Sequence, residues 1–292
     1  MSYRIIAFGA LIAAGLGIVL STPAPAAEET KPIRALLVIG GCCHDYKKQQ
    51  DLLMKGISAR ANVQWAVSYD PDTGTKHLNP IYEKEDWSKG FDVVLHDECC
   101  SDVKDQKIVE RILKPHRDGL PAVIVHCGMH CYRTEGFPKQ TMWFEFTGLA
   151  STGHGPQAPI EITYADNQNP ITKDLEGWKT VNEELYNNSS GKLLETAQPL
   201  AKGKQMYKEK QKIKVDGKDT FVEKDVVAES VVAWTNTYNG KTKVFATTLG
   251  HNNDTVGDKR YLDLVTRGLL WSVGKLDKEY LTPAKKVMLE EK

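Results

Sequence analysis

The sequence predicts an α/β fold of the flavodoxin-like, doubly wound kind: a mainly parallel sheet with helices on both faces and one inserted β-hairpin. Three observations carry this. The runs "RALLVIGG", "FDVVLHDE" and "LPAVIVHCG" are apolar, of strand length, and end in glycine or reactive polar residues, as strands buried on both faces do. Segments of helical period separate them, which is the pattern of βαβ units with right-handed crossovers. Asp216-Gly217 then interrupts the alternating residues of "QKIKVDGKDTFVEKD", a strong hairpin signal.

Each element follows from its own residues. "RALLVIGG" is the first strand. Residues 47–61 place Leu52, Leu53, Met54, Ile57 and Ala61 at helical spacing. "NVQWAVSYD" is a second strand and "FDVVLHDE" a third. Residues 105–117 carry Ile108, Ile112 and Leu113 on one helical side, with Pro115 expected to shorten that helix. "LPAVIVHCG" is the fourth strand. "PIEITYA" and "GKLLETA" read as strands, and "ESVVAWTNTYNGKTKVFATTLGH" gives two more around Asn239-Gly240. Residues 261–273 form the last helix. Beyond Leu281 a loose tail is expected.

The 292 residues hold 38 basic and 38 acidic side chains. This balance gives no polybasic signal for nucleic acid or an anionic membrane surface. Arg4, the apolar residues Ile5 to Leu20 and the small residues of "STPAPAAEET" read as a signal peptide over residues 1–27. The mature protein is then expected to be periplasmic or secreted, with no stable membrane insertion after cleavage. Residues 33–274 form the α/β domain and residues 275–292 a C-terminal tail.

Reactive side chains cluster where the strands end. Cys42, Cys43 and His44 follow the first strand; His96, Cys99 and Cys100 close the third; His126, Cys127, His130 and Cys131 close the fourth. In an open α/β sheet, ligands bind outside the carboxyl ends of the strands. All six cysteines and four of the eight histidines are therefore expected along one edge. Three uses of them stay open. One is a metal centre, with zinc the candidate ion, since His, Cys and carboxylate are its ligands. One is a disulfide, between a cysteine after one strand and one after its neighbour or between Cys127 and Cys131. One is a Cys127 nucleophile assisted by a histidine.

Other residues are weighed the same way. His44, with Asp45 and Tyr46 beside it, favours a site role over simple helix capping. His251 follows Gly250 in a polar loop after a strand, where function concentrates. Glu184 near histidines is a candidate acid or base. His154, in a glycine-flanked loop, could reach the cleft. Trp143, Trp234 and Tyr238 are candidate sugar-stacking faces, with core packing the ordinary alternative. His77 and His116 fall in polar or helical surface stretches and are expected to be unremarkable.

"VIGGCCHDY", "VIVHCG", "EELY" at residues 183–186, "VAWTNTYNGKTKVFATTLGH" and "GLLWSVG" together resemble the ThuA-like (trehalose-utilisation) family, within the class I glutamine-amidotransferase-like superfamily. The resemblance covers roughly residues 33–274. It implies a role in carbohydrate use and a small carbohydrate ligand. Three departures stand out. The family's "DELY" is Glu183-Glu184-Leu185-Tyr186 here. Asn169 replaces the histidine of a His-Pro-Ile-Thr stretch. "Val-His-Cys-Gly-Met" replaces the Gly-x-Cys-x-Gly elbow, which argues against glutamine amidotransferase activity. The resulting expectation is a hydrolase-like enzyme. Glu184, His126 and Cys127 are its catalytic candidates. His44, Asp45, Tyr46, Tyr186, Tyr238 and His251 are to hold the substrate, and His44, His126 and His251 are to hold a metal that polarises an oxygen or activates water. The alternative is a non-catalytic carbohydrate-binding or scaffolding domain.

Overall fold

The computed structural model describes residues 1, 30–165 and 168–290, and Lys31–Lys292 form one compact unit. The signal-peptide segment expected over residues 1–27 lies outside the described residues apart from Met1. No helix among the described residues is long and apolar enough to cross a membrane.

The first half of the chain alternates as its residues dictate. Strand β1 (Ile33–Gly41) leads to α1 (Tyr46–Ser58), then β2 (Val63–Asp70), β3 (Val93–Cys99), α2 (Gln106–Asp118) and β4 (Ala122–Val125). A 3-10 turn, His126–His130, follows β4. Asp45 and Asp105 cap the two helices by accepting backbone N–H groups of their first turns. Pro115 sits inside α2 without ending it, and Gly119 closes that helix in the left-handed conformation.

The second half holds α3 (Met142–Thr147), β5 (His154–Tyr164), β6 (Trp178–Tyr186), β7 (Ala197–Val215), β8 (Lys218–Tyr238), β9 (Thr242–Thr247), α4 (Asn253–Val256) and α5 (Lys259–Ser272). Both turn signals are realised. Asp216 and Gly217 have φ of 50° and 77°, and Asn239 and Gly240 have φ of 50° and 69°, the paired positive angles that two-residue hairpins need. The segment "GKLLETA" does not form the expected strand; residues 191–196 are turns and coil before β7.

Among the described residues nine strands join one sheet in the order β2-β1-β3-β4-β9-β8-β7-β5-β6. The pairings among β2, β1, β3, β4 and β9 are parallel, and those from β9 through β8, β7 and β5 to β6 are antiparallel. The expectation of a mainly parallel sheet is thereby corrected. Half of the pairings are antiparallel, because β9 returns from β8 through the three residues Asn239, Gly240 and Lys241, and β8 pairs on its far side with β7, which continues to β5 and β6. β7 and β8 are also much longer than the hairpin read from sequence. Their distal halves are exposed, with Met206, Phe221 and Val227 uncovered.

Strand alternation divides the core. Ala35, Leu37 and Ile39 of β1 pack with Leu53 and Ile57 of α1 and with Leu264, Val265 and Leu269 of α5. Leu36 and Val38 pack with Val109 and Ile112 of α2 and with Trp143 and Phe146 of α3. Each such fully buried aliphatic side chain contributes about 1.5–3 kcal/mol relative to exposure. The tail beyond Leu281 is not loose where it is described. Trp65 of β2 donates its backbone N–H to Val287 and accepts that of Leu289, and Trp65 and Met288 form a parallel bridge that covers the β2 edge.

Candidate functional site

The carboxyl ends of β1, β4 and β9 bring three histidines together. His44 follows β1, His126 follows β4 and His251 follows β9. One ring nitrogen from each lies within 4.8 Å of the others. The His44 ring meets those of His126 and His251 edge-on, with centroids 4.7 Å away in both cases. The local backbone is bent to achieve this. His126 has φ of 41°, a left-handed angle that a histidine holds only when its surroundings impose it. Gly250 has φ of 123°, and a Cβ there would sit 2.9 Å from the Tyr261 hydroxyl. Glycine is what lets His251 turn toward the cluster.

Glu184, at the end of β6, completes the group. Its Oε2 is 3.5 Å from His126 Nε2 and 3.4 Å from His154 Nε2, and its Oε1 is 3.3 Å from His251 Nδ1. Burial alone would raise its pKa, but hydrogen bonding to His126 and His251 and the neighbouring His126 and His154 charges hold it well below the ordinary carboxylate range. His251 is correspondingly raised by its bond to Glu184. His44 is driven the other way, down to about 2, by burial and by His126 and His251. His44 is thus a neutral imidazole at any working pH.

Supporting contacts fix the rings. His126 Nδ1 donates to the Thr248 carbonyl at 2.6 Å, which turns Nε2 toward Glu184, 3.5 Å away. The Tyr186 hydroxyl lies 3.3 Å from that Nε2. The Tyr186 ring stacks on His130, with centroids 4.0 Å apart and planes 3° from parallel. Glu183 accepts the backbone N–H groups of His251 at 3.1 Å and Asn252 at 3.0 Å. Gln49 donates to the carbonyls of Gly250 and His251. His44 Nδ1 is buried with no hydrogen-bond partner among the described residues. A buried polar atom left bare beside two more imidazoles and a carboxylate fits the donor set of a divalent metal such as zinc.

The expected residues divide accordingly. His44, His126, His251, Glu184 and Tyr186 meet in this cluster. Asp45 and Tyr46 flank it without lining it. The Asp45 carboxylate caps α1 and accepts from Asn253 at 3.0 Å, and Tyr46 is buried behind His44. Tyr238 is not at the site. It ends β8 beside Thr242, where β9 begins, and its hydroxyl receives Arg117 from the end of α2 at 3.1 Å. It therefore lies at the opposite end of the sheet from His251. Trp143 and Trp234 are buried core residues whose indole N–H groups donate to the Gly128 and Thr147 carbonyls. Cys127 is not an activated nucleophile: its thiol is buried against Cys99, 2.6 Å away, and that contact together with burial pushes its pKa well up. The disulfide is Cys42–Cys43, not a link between strands or between Cys127 and Cys131.

His116 and His77 are not surface residues of no consequence. His116 is fully buried, 3.2 Å from His96 and bonded to the Leu120 carbonyl. His77 pairs with Asp70 at 2.6 Å and contacts Cys100 at 3.5 Å. Sequence reading also missed Glu183, Gln49 and Gln157. Only the pair of adjacent acids in "EELY" signalled the first. Gln49 reaches the site from α1, and Gln157 from β5, where its amide donates to Glu184 Oε1 at 3.2 Å and lies 2.8 Å from His251 Nε2.

Beside His154 and Tyr186 opens a cleft of ≈ 870 Å³ lined also by Lys202, Tyr207, Glu229 and Ser230. A histidine-and-carboxylate cluster at the carboxyl ends of the parallel strands, with a cleft next to it, defines the class of protein: an α/β fold with a mixed nine-stranded sheet among the described residues. The chain belongs to the ThuA family, described as trehalose utilisation, whose family model matches residues 34–272. A ThuA-like protein from Bacteroides uniformis ATCC 8492 has a similar structure, with a TM-score of 0.56 at 14% identity over 89% of this chain and 98% of that one. The β-galactosidase from Bacillus circulans sp. alkalophilus gives a TM-score of 0.43 at 13% identity, covering 86% of this chain and 32% of the β-galactosidase. A search of curated proteins returns no match.

Proposed function

We propose that this protein is an enzyme acting on a sugar or sugar derivative by a hydrolytic or related acid/base step, at a metal centre held by His44, His126 and His251. The observation that carries this reading is the convergence of three imidazole nitrogens within 4.8 Å beside a carboxylate that stays ionised. A divalent ion bound there would supply a Lewis acid. The residues do the rest. Glu184, ionised and 3.3–3.5 Å from three histidines, takes a proton from the attacking group once substrate displaces the histidine contacts that hold its pKa down. His154, on the exposed side of Glu184, faces the cleft and orients a hydroxyl of the substrate. Tyr186 fixes the His126 ring, and its own buried ring stacks with His130 and His154.

The test is calorimetric titration of zinc into wild type and into H44A, H126A and H251A, with melting curves as the control for folding. Turnover on a disaccharide panel that includes trehalose is measured with and without chelator. Loss of zinc binding in folded variants and chelator-sensitive turnover support the reading. Wild-type zinc affinity in all three variants sinks it. Sugar binding without turnover would leave a carbohydrate-binding module instead. The apolar Ile5 to Leu20 stretch and the small residues after it support export to the periplasm or beyond. Recovery of intact Met1 from a membrane fraction would oppose that.

A further inference from the structure

Four sulfur atoms make consecutive contacts at the ends of β1, β3 and β4. Gly41, the last residue of β1, pairs in register with Cys99, the last of β3, so Cys42 emerges beside Cys99. Cys42 Sγ lies 3.3 Å from Cys99 Sγ. Cys99 Sγ in turn lies 2.6 Å from Cys127 Sγ, just past the end of β4. At the other end Cys42 is bonded to its neighbour Cys43, which is exposed. The disulfide therefore sits at the surface, and two free, buried thiols stand in file behind it. Nothing in the proposed sugar chemistry uses any of these sulfurs.

We propose that Cys42, Cys43, Cys99 and Cys127 form an internal thiol–disulfide exchange centre that moves one disulfide from the surface loop to the floor of the site. In the first step Cys99 Sγ attacks Cys42 Sγ. The Cys99–Cys42 bond forms, the Cys42–Cys43 bond breaks, and Cys43 leaves with the electron pair and takes up the proton that Cys99 gave up. In the second step Cys127 Sγ, a buried thiol that gives up its proton only as Cys42 departs, attacks Cys99 Sγ. The Cys99–Cys127 bond forms, and Cys42 leaves and takes up the proton from Cys127. One disulfide is reduced and two thiols are oxidised, so no outside oxidant is needed. The order follows from the distances: Cys99 is the thiol in reach of the disulfide, and Cys127 is in reach of Cys99.

The backbone favours opening the first bond. Cys43 is held at φ of 83°, an angle an L residue with a side chain adopts at a cost. Release of the bond frees the loop that carries His44. At the far end, Cys127 is bonded to His126 in the chain and shares a hydrogen bond with Tyr186, so the two disulfide positions bracket the cluster. The exposed Cys43 is the port at which a small solvent thiol would enter.

The full chain is equilibrated in dithiothreitol buffers of graded oxidation, quenched in acid, alkylated and digested with trypsin. The three sulfur-bearing segments fall in separate peptides, residues 35–47, 90–104 and 118–133, and fragmentation assigns each linked sulfur. Wild type should show two one-disulfide isomers, Cys42–Cys43 and Cys99–Cys127, whose ratio to each other is the same in every buffer, because exchange between them consumes no oxidant. C127A should trap the intermediate as a Cys42–Cys99 link joining residues 35–47 to residues 90–104. C99A should keep Cys42–Cys43 alone. Alkylation of Cys99 and Cys127 as free thiols at every ratio in wild type overturns the proposal, and that map decides alone if C127A does not fold. The readout is peptide linkage, so it stands or falls apart from zinc binding and sugar turnover.

Discussion

The Glu183 carboxylate accepts the backbone N–H of His251 at 3.1 Å, across from β6 to the loop after β9. Its neighbour Glu184 meets the His251 side chain at 3.3 Å. Two adjacent acids on one strand thus hold the same histidine in two ways, one by its backbone and one by its ring. Glu183→Ala leaves two loop N–H groups without their acceptor. We expect a stability loss of about 1–3 kcal/mol, the cost of unsatisfied buried donors, and a fall in zinc affinity of roughly 10–100-fold, as for other outer contacts of metal sites. Chemical denaturation and calorimetry on the same preparation check both. Unchanged zinc affinity would mean that the loop holds His251 without Glu183.

Glu184→Gln separates proton transfer from binding. The amide keeps the shape of the carboxylate but cannot take a proton. Turnover should fall by about 10²–10⁴-fold, the usual share of a general base, while zinc binding persists through the three histidines. Equal loss of zinc binding and turnover would instead make Glu184 a ligand.

Zinc affinity should depend on pH through His251. This group is raised above its ordinary value by Glu184, so in the metal-free protein it keeps its proton at pH values where a free histidine has released it. Zinc must displace that proton. Affinity should therefore begin to fall as pH drops while still above about 6.5, the ordinary histidine value. His44, held down to about 2, adds nothing to the slope. Titrations at several pH values, with proton release read from buffers of different ionisation enthalpy, test this. A flat affinity across the range would exclude His251 as a ligand.

Local signals in the chain were read well. Asp216-Gly217 and Asn239-Gly240 turn where their positive φ angles require, and the helix caps at Asp45 and Asp105 are local side-chain chemistry. His44, His126 and His251 were legible because each follows a strand, and strands of one parallel sheet end on one edge. Tyr238 was misjudged for the same reason in reverse. It ends a strand too, but β8 runs antiparallel to β9, and strand direction is set by pairing distant in sequence. His116 looked like a surface residue on a charged helix, yet it packs against His96 and Phe146. No local pattern shows which side of α2 meets α3.

Asp97 gives the stability curve a slope of its own. It is buried at the end of β3, and burial together with the Glu98 charge raises it from 3.8 to about 8. The folded state therefore keeps the Asp97 proton between those two values, while the unfolded chain has lost it. The unfolded state binds fewer protons across that window, so this residue's contribution is fully present below pH 3.8 and is lost as pH rises toward about 8. Asp97→Asn keeps the side chain neutral in both states and removes the slope. Relative to wild type, the variant should gain up to about 1.4 kcal/mol for each pH unit climbed within the window, and the gap should stop widening above it. Buried histidines such as His116, depressed to about 3 by burial and by His96, slope the other way, but they are present in both proteins and cancel in the difference. Urea midpoints of the two proteins at pH 5, 6.5, 8 and 9 measure that difference directly. Parallel curves would show that Asp97 titrates alike in the folded and unfolded chain.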